Sequence, residues 1–324
     1  MTVLVTGGSG LVGSHVIEAL RARGEPVRAL VRPEARAPVE RLGAEVVAGD
    51  VTDATAWRAA ARGVRGIVHA AALVQRRASW DRYLAVNVDG TRLAVDAARA
   101  AGARLVHISS VAVYGGSANY GTAHEHRTED HPFGPIPPHD FYARSKRMAE
   151  EVVRESGLDA VALRPNVIYG ERDRLFTPRV IGAARRRVMP RIGSGTNHLS
   201  CVYAGNVAAA ATAALAAPLP GFRVYNVTRD APPPLTLREF LTAFAAALGT
   251  RLSFIPIPLS LARAVVRLWT PGRLARAAVS FITGENPYVD DRARAELGWR
   301  PPLAAADAIR RTVRWFLENE KPGR

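Results

Sequence analysis

Tyr142 and Lys146, four residues apart in Tyr142-Ala143-Arg144-Ser145-Lys146, are a pair whose side chains could move a proton. On a helix this spacing puts both on one face. A free phenol titrates near ~10, and an ammonium beside it favours the phenolate and draws the pKa toward working pH. The tyrosine then becomes a candidate general acid or base. The chain carries 44 lysines and arginines, yet Lys146 is the only lysine before Lys321. A sequence that elsewhere uses arginine keeps a compact ammonium here, and a planar guanidinium does not readily replace one. A hydroxyl should complete the set just after a strand at 104–109. The run His107-Ile108-Ser109-Ser110-Val111-Ala112-Val113-Tyr114-Gly115 offers two. The spacing to Tyr114-Gly115 selects Ser110, with Ser109 as the alternative.

A second chemistry is written at the N-terminus. Thr6-Gly7-Gly8-Ser9-Gly10-Leu11-Val12-Gly13 follows an apolar run, Thr2–Thr6, and opens a helical pattern at 10–23. Gly7, Gly10 and Gly13 allow a tight turn and close approach of a pyrophosphate, while the helix start at Leu11 and Val12 offers backbone N–H groups and a positive dipole end. The end of a second strand, Val27–Val31, usually reads the adenosine ribose. An acid there accepts from a 2′-hydroxyl, whereas an arginine accommodates a 2′-phosphate. Val31-Arg32 has no acid from 28 to 33, so Arg32, with Arg36 nearby, predicts NADP(H) ahead of NAD(H). Asp50 is placed to accept from an adenine amino group with Val51 against the ring. Ala70, Ala71 and Ala72 are small enough for a cofactor to lie close.

These motifs need a scaffold. Short apolar runs at Thr2–Thr6, Val27–Val31, 44–48, 66–70, 104–109 and 160–164 alternate with helical patterns, among them 87–101. This is the rhythm of a parallel sheet covered by helices. The expected fold is α/β, a Rossmann-type doubly wound parallel sheet over 1–165 with 206–230 returning to it. A smaller, mainly helical and discontinuous lobe over 166–324 would hold the substrate. Segments 172–205 and 232–302 read as broken helices, and 223–228 as a returning strand. Residues 115–141 read as an irregular loop over the site.

Composition narrows the function. Net charge is +15 and hydrophobic residues make up 48% of the 324. The arginines are spread along the whole chain and no groove-reading motif occurs, so the charge is read as attraction for an anionic cofactor or substrate and not as nucleic-acid binding. Cys201 is the only cysteine, which excludes an internal disulfide or a cysteine metal cluster. His124 and His126 have no common zinc spacing and read as solvated loop residues, so no metal is expected. No apolar run reaches the ~18–20 residues of a membrane span, and the start lacks a signal-peptide pattern, so a cytoplasmic protein is expected. Leu261, Val265, Leu268 and Trp269 share a helical spacing in 259–269, apart from Arg263 and Arg267. That segment is expected to pack on the core, with a pocket wall or a peripheral membrane contact as alternatives.

Together these pieces resemble an extended short-chain dehydrogenase/reductase, from near the N-terminus to about Phe316. The resemblance rests on residues 6–13, Asp50, His69 to Ala72, Asn87-Val88-Asp89-Gly90-Thr91, Ser110, Tyr142 with Lys146, and Leu163-Arg164-Pro165. It implies that Tyr142 protonates a carbonyl oxygen held by Ser110, and that Lys146 binds the nicotinamide ribose. It further implies that Asn87, Ser109, Pro165 and Val167 border the cofactor, and that the chain forms a homodimer through helices near 87–101 and 142–155. Within the family, Val167 and Leu199 stand where sugar-nucleotide enzymes carry an asparagine and a diphosphate-gripping arginine. Residues 193–207, with Asn197 and Asn206, and the run 172–178 are instead similar to the 3β-hydroxysteroid dehydrogenase and 2-alkyl-3-oxoalkanoate reductase branch. An apolar small-molecule ketone or alcohol is therefore the expected substrate. A nucleotide-sugar epimerase or dehydratase is the alternative, and a non-catalytic dinucleotide sensor a second.

Overall fold

In the computed structural model, which describes residues 1–74, 77–116, 125–262, 264 and 279–319, the short apolar runs do become strands. They are β1 (Thr2–Thr6), β2 (Val27–Val31), β3 (Glu45–Ala48), β4 (Val64–His69), β5 (Arg104–Ile108), β6 (Ala160–Pro165), β7 (Val167–Tyr169), β8 (Val188–Ile192), β9 (Cys201–Tyr203), β10 (Phe222–Val227) and β11 (Ser253–Ile257). Seven form one parallel sheet in the order β10-β6-β5-β4-β1-β2-β3. Strand order reverses direction at β1 and β4, and the crevice at such a switch point is where doubly wound sheets bind ligands.

The helices are α1 (Leu11–Ala22), α2 (Arg36–Glu40), α3 (Ala54–Ala60), α4 (Trp80–Tyr83), α5 (Gly90–Ala101), α6 (Phe141–Glu155), α7 (Thr177–Ala184), α8 (Ala204–Ala216), α9 (Leu237–Ala247), α10 (Asp291–Glu296) and α11 (Ala305–Asn319). Alternate β1 residues face opposite sides, as the period of a strand requires. Val3 and Val5 join Val16, Ile17 and Leu20 of α1 and Val207 and Ala211 of α8 in one cluster. Leu4 joins Trp57 of α3, Ala94 and Ala98 of α5 and Val153 of α6 in another. The long helix expected at 87–101 starts differently. A π-helical turn over Leu84–Asp89 runs directly into α5, a form that often occurs at functional sites.

The segments read as broken helices are only partly helical. Val188–Ile192 pairs in parallel with Ser253–Ile257, and Val167–Tyr169 with Cys201–Tyr203. Proline at 190 and 256 is incompatible with a helix interior, and short runs holding Val, Ile and Phe suit a strand. Much of the apolar segment 259–269, including Arg263, Val265, Arg267, Leu268 and Trp269, lies outside the described residues, as does His124. Among the described residues, no helix is long and apolar enough to cross a membrane, and no group of three or more His, Cys, Asp or Glu side chains could hold a metal.

Candidate functional site

The turn after β1 is built for an anion. Gly7 sits at φ +69°, and a Cβ added there would lie 2.8 Å from the Ala71 nitrogen. One added at Gly13 would lie 2.3 Å from the Gly7 carbonyl oxygen, and one at Gly10 3.1 Å from the same atom. Only glycines let the helix start close on the turn. Gly10 donates to the Gly7 carbonyl at 2.8 Å. Helix α1 has neither a side-chain cap nor an acid in its first turn, so the positive end of its dipole is unopposed where Leu11 and Val12 begin it. The cradle fits a dinucleotide pyrophosphate.

The flanking strand ends complete the groove. Ala71 donates its N–H to Thr6 Oγ1 at 3.2 Å, and Ala70, Ala71 and Ala72 are half-buried. Asp50 accepts from the Thr52 N–H at 3.0 Å and its hydroxyl at 2.9 Å, which fixes the carboxylate after β3. The Val51 carbonyl accepts from Trp57 Nε1 at 2.8 Å. Arg32 is exposed at the mouth, where it pairs with Glu34 at 3.2 Å. The sequence reading stopped at residue 33, one short of this acid. Arg36 pairs with Glu40 at 2.7 Å.

Helix α6 carries the proton-moving pair. Asp140 caps its start by accepting from the Ala143 N–H at 3.2 Å. Ser110 caps the 3₁₀ turn after β5, its oxygen accepting from the Ala112 N–H at 3.2 Å. Tyr142 lies close enough for the Ser110 hydroxyl to pull its pKa down. That pull is outweighed: dense packing around the half-buried ring raises the phenol above its ordinary 10. The expectation that Lys146 draws the phenol down is therefore not met. Lys146 is buried and gives its ammonium to the Ile108 carbonyl at 2.6 Å. Burial lowers its own pKa to about 8, against the opposing charge of Glu150.

Asn87 and Ser109 face the protein more than the groove. The Asn87 amide bonds the Leu73 N–H at 2.6 Å, the Leu73 carbonyl at 3.2 Å and Ser145 Oγ at 2.9 Å, tying the end of the alanine run to α6. Ser109 is buried and donates to Glu150 Oε2 at 2.6 Å. Pro165 ends β6, and Val167, half-buried, opens β7.

Three groups escaped the sequence reading. Two buried histidines, His69 and His107, lie with ring centroids 5.6 Å apart. Burial, then the charge of Lys146, lowers His69 to about 3 and holds His107 well below the usual imidazole range, so both stay neutral. Glu150 pairs with Arg164 inside the protein. Glu171 accepts from His15 at 3.2 Å, Tyr203 at 2.9 Å and Arg311 at 2.6 Å, joining α1, β9 and α11. Burial opposes its charge, yet the bonds from His15 and Tyr203 hold it at about 2. Next to it Arg172 bonds Ser14 at 2.8 Å and Glu18 at 2.6 Å, bracing the cofactor helix. His69 and Arg164 stood in the sequence only as motif residues and Glu150 only as a Glu four beyond Lys146; their partners required long-range pairing.

The stretch that carries the glycine turn, Ser110, Tyr142 and buried Lys146 is matched by a family model. Residues 3–228 fit the NAD dependent epimerase/dehydratase family. The chain belongs to this family. It is an extended short-chain dehydrogenase/reductase, and with that an NAD(P)-dependent oxidoreductase. It is 35% identical to a 4-hydroxy-2-methyl-3-oxo-4-farnesyl-3,4-dihydroquinoline-1-oxide ketoreductase of Stigmatella aurantiaca, over 92% of each chain. It is 30% identical to a 2-alkyl-3-oxoalkanoate reductase of Stenotrophomonas maltophilia, covering 96% of this chain and 98% of that one. Among solved structures, a dTDP-glucose 4,6-dehydratase of Streptomyces venezuelae with NAD and TYD bound matches at TM-score 0.74 and 27% identity, over 98% of each chain.

Proposed function

We propose that this oxidoreductase uses NADPH to reduce a ketone on an apolar β-keto or steroid-like substrate. The observation that carries the reading is the placement of Ser110 after β5, at the carboxyl end of the sheet, beside buried Lys146, whose ammonium bonds the Ile108 carbonyl, with Tyr142 one turn before Lys146 on α6. A nicotinamide bound in the crevice supplies the hydride. Ser110 holds the carbonyl oxygen, Tyr142 gives it a proton, and Lys146 binds the ribose. A phenol raised above 10 by burial is protonated at neutral pH, which is the form reduction needs; alcohol oxidation would need the phenolate. In this reading 1–165 with 206–230 holds the cofactor and the rest of 166–324 holds the substrate. The functional unit is a homodimer through α5 and α6.

The apolar substrate has two supports. Both relatives named above act on compounds with an oxo group and an alkyl or farnesyl chain. Leu199, at the position expected to grip a diphosphate, is buried among Tyr169, Ile181 and Phe240, where an anion would be desolvated without a partner. NADPH oxidation is expected with 2-alkyl-3-oxo esters or 3-ketosteroids and not with UDP- or dTDP-sugars. Turnover of the sugar nucleotides alone would replace this reading with the epimerase/dehydratase one.

Arg32 supports the choice of NADPH. Its guanidinium stands at the end of β2 and is exposed enough to exchange Glu34 for a 2′-phosphate. Charge-assisted phosphate contacts are stronger than surface pairs. Arg32→Ala is expected to lower kcat/KM for NADPH roughly tenfold, about 1.4 kcal/mol, and to leave NADH within twofold. Steady-state kinetics with both cofactors checks this; equal losses with both would remove Arg32 from the 2′-phosphate site.

A further inference from the structure

Glu150 lies two helical turns beyond Tyr142 and one beyond Lys146, on the same face of α6. It is buried, and so are its partners Ser109 and Arg164. Arg164 Nε donates to both carboxylate oxygens at 3.1 and 3.0 Å, and Nη2 also bonds Oε1. Arg164 Nη1 in turn reaches Tyr114 Oη at 2.7 Å and the Glu129 carbonyl at 3.2 Å. The fourth link is Ser109, whose hydroxyl donates to Glu150 at 2.6 Å and whose N–H bonds the Leu163 carbonyl at 2.7 Å.

A buried ion pair of this kind is a poor device for stability alone, because desolvation offsets the attraction and apolar residues would pack as well. Where its ends arrive is more telling. Ser109 adjoins Ser110, Arg164 adjoins Pro165, and Lys146 bonds Ile108, the residue before Ser109. One carboxylate thus joins both strand ends that border the site to the helix that bears Tyr142 and Lys146. We propose that Glu150 is a positioning residue for the reduction: clamped by Arg164, it fixes the Ile108-Ser109-Ser110 strand end relative to Tyr142 and supplies the counter-charge to Lys146. This rests on the ketone-reductase reading above. Among the described residues, the Lys146 charge acts on His69 of β4 and His107 of β5, both neutral, and Arg164 of β6 is taken up by Glu150. Glu150 is therefore the anion that sustains the Lys146 charge, consistent with its raising effect on that pKa.

The test uses the full-length protein, NADPH and a 2-alkyl-3-oxo ester, with NADPH affinity followed by fluorescence. Glu150→Gln is expected to lower kcat roughly 10- to 100-fold with KM and NADPH affinity little changed, since small misplacements of a reacting group cost this much. Loss of the anion should also move the high-pH limb of kcat down by about one unit. Glu150→Asp keeps the charge, so the limb should return to its wild-type position even if kcat stays low. Ser109→Ala breaks the strand-end link without stranding a buried charge, and serves if Glu150→Gln does not fold. It should lower kcat severalfold with the limb unmoved. Wild-type kcat and an unmoved limb in the folded variants, with only the melting temperature reduced, would leave Glu150 a structural brace and overturn the proposal. Absence of turnover by the wild-type protein overturns the parent reading and this proposal with it.

Discussion

Tyr142→Phe is expected to reduce kcat for ketone reduction by about 10²-fold or more, while NADPH affinity and the melting temperature stay close to wild type. The substitution removes one oxygen from a half-buried ring. The half-buried ring itself stays in place, and the influence of Ser110 that is lost is that of a single neutral hydrogen-bonding group, worth about 1 kcal/mol. Ser110 keeps its place because the Ala112 N–H still holds its oxygen. What disappears is the proposed proton donor. The carbonyl would then be reduced with water as proton source, or not at all. Separating fluorescence titration of NADPH from single-turnover reduction isolates the chemical step. A variant that bound NADPH and reduced the substrate at near-normal rates would remove Tyr142 from the mechanism.

The cofactor half of the molecule was legible because its demands are local. Gly7, Gly10 and Gly13 are required by the backbone itself, and the added-Cβ distances at Gly7 and Gly13 give the reason. Alternation in β1 and the helical spacing of Val12, Val16 and Leu20 likewise follow from neighbours in sequence. The second half was less legible because its order comes from partners far along the chain. Val188–Ile192 is a strand by virtue of Ser253–Ile257, some 65 residues away. Within the site the same division holds. The Tyr142/Lys146 spacing announced itself, and Glu34, two residues after Arg32, was within reach of the same local reading, whereas Arg164 as the partner of Glu150 depends on a contact no single-sequence pattern encodes. The phenol's raised pKa was also invisible, since the spacing gives the nearby cation but not the burial that outweighs it.

Lys146→Arg should be nearly as damaging as loss of Tyr142, although the charge is conserved. The Lys146 ammonium is buried and offered one well-placed acceptor, the Ile108 carbonyl at 2.6 Å. A guanidinium brings five donors, into a wall formed by two neutral histidines and a glutamate already committed to Ser109 and Arg164. Unsatisfied buried donors and added volume would push the side chain off the ribose and disturb Ile108, so kcat/KM is expected to fall by about 10²-fold. The pH profile gives a second, independent reading. With a pKa of about 8, Lys146 is charged below that pH and neutral above it. Wild-type reduction should therefore decline as pH rises through about 8. Arginine stays charged across this range, so whatever activity Lys146→Arg retains should lack that limb and decline only where the phenol begins to ionise, above 10. Persistence of the limb in the arginine variant would assign it to another group and leave Lys146 with ribose binding alone.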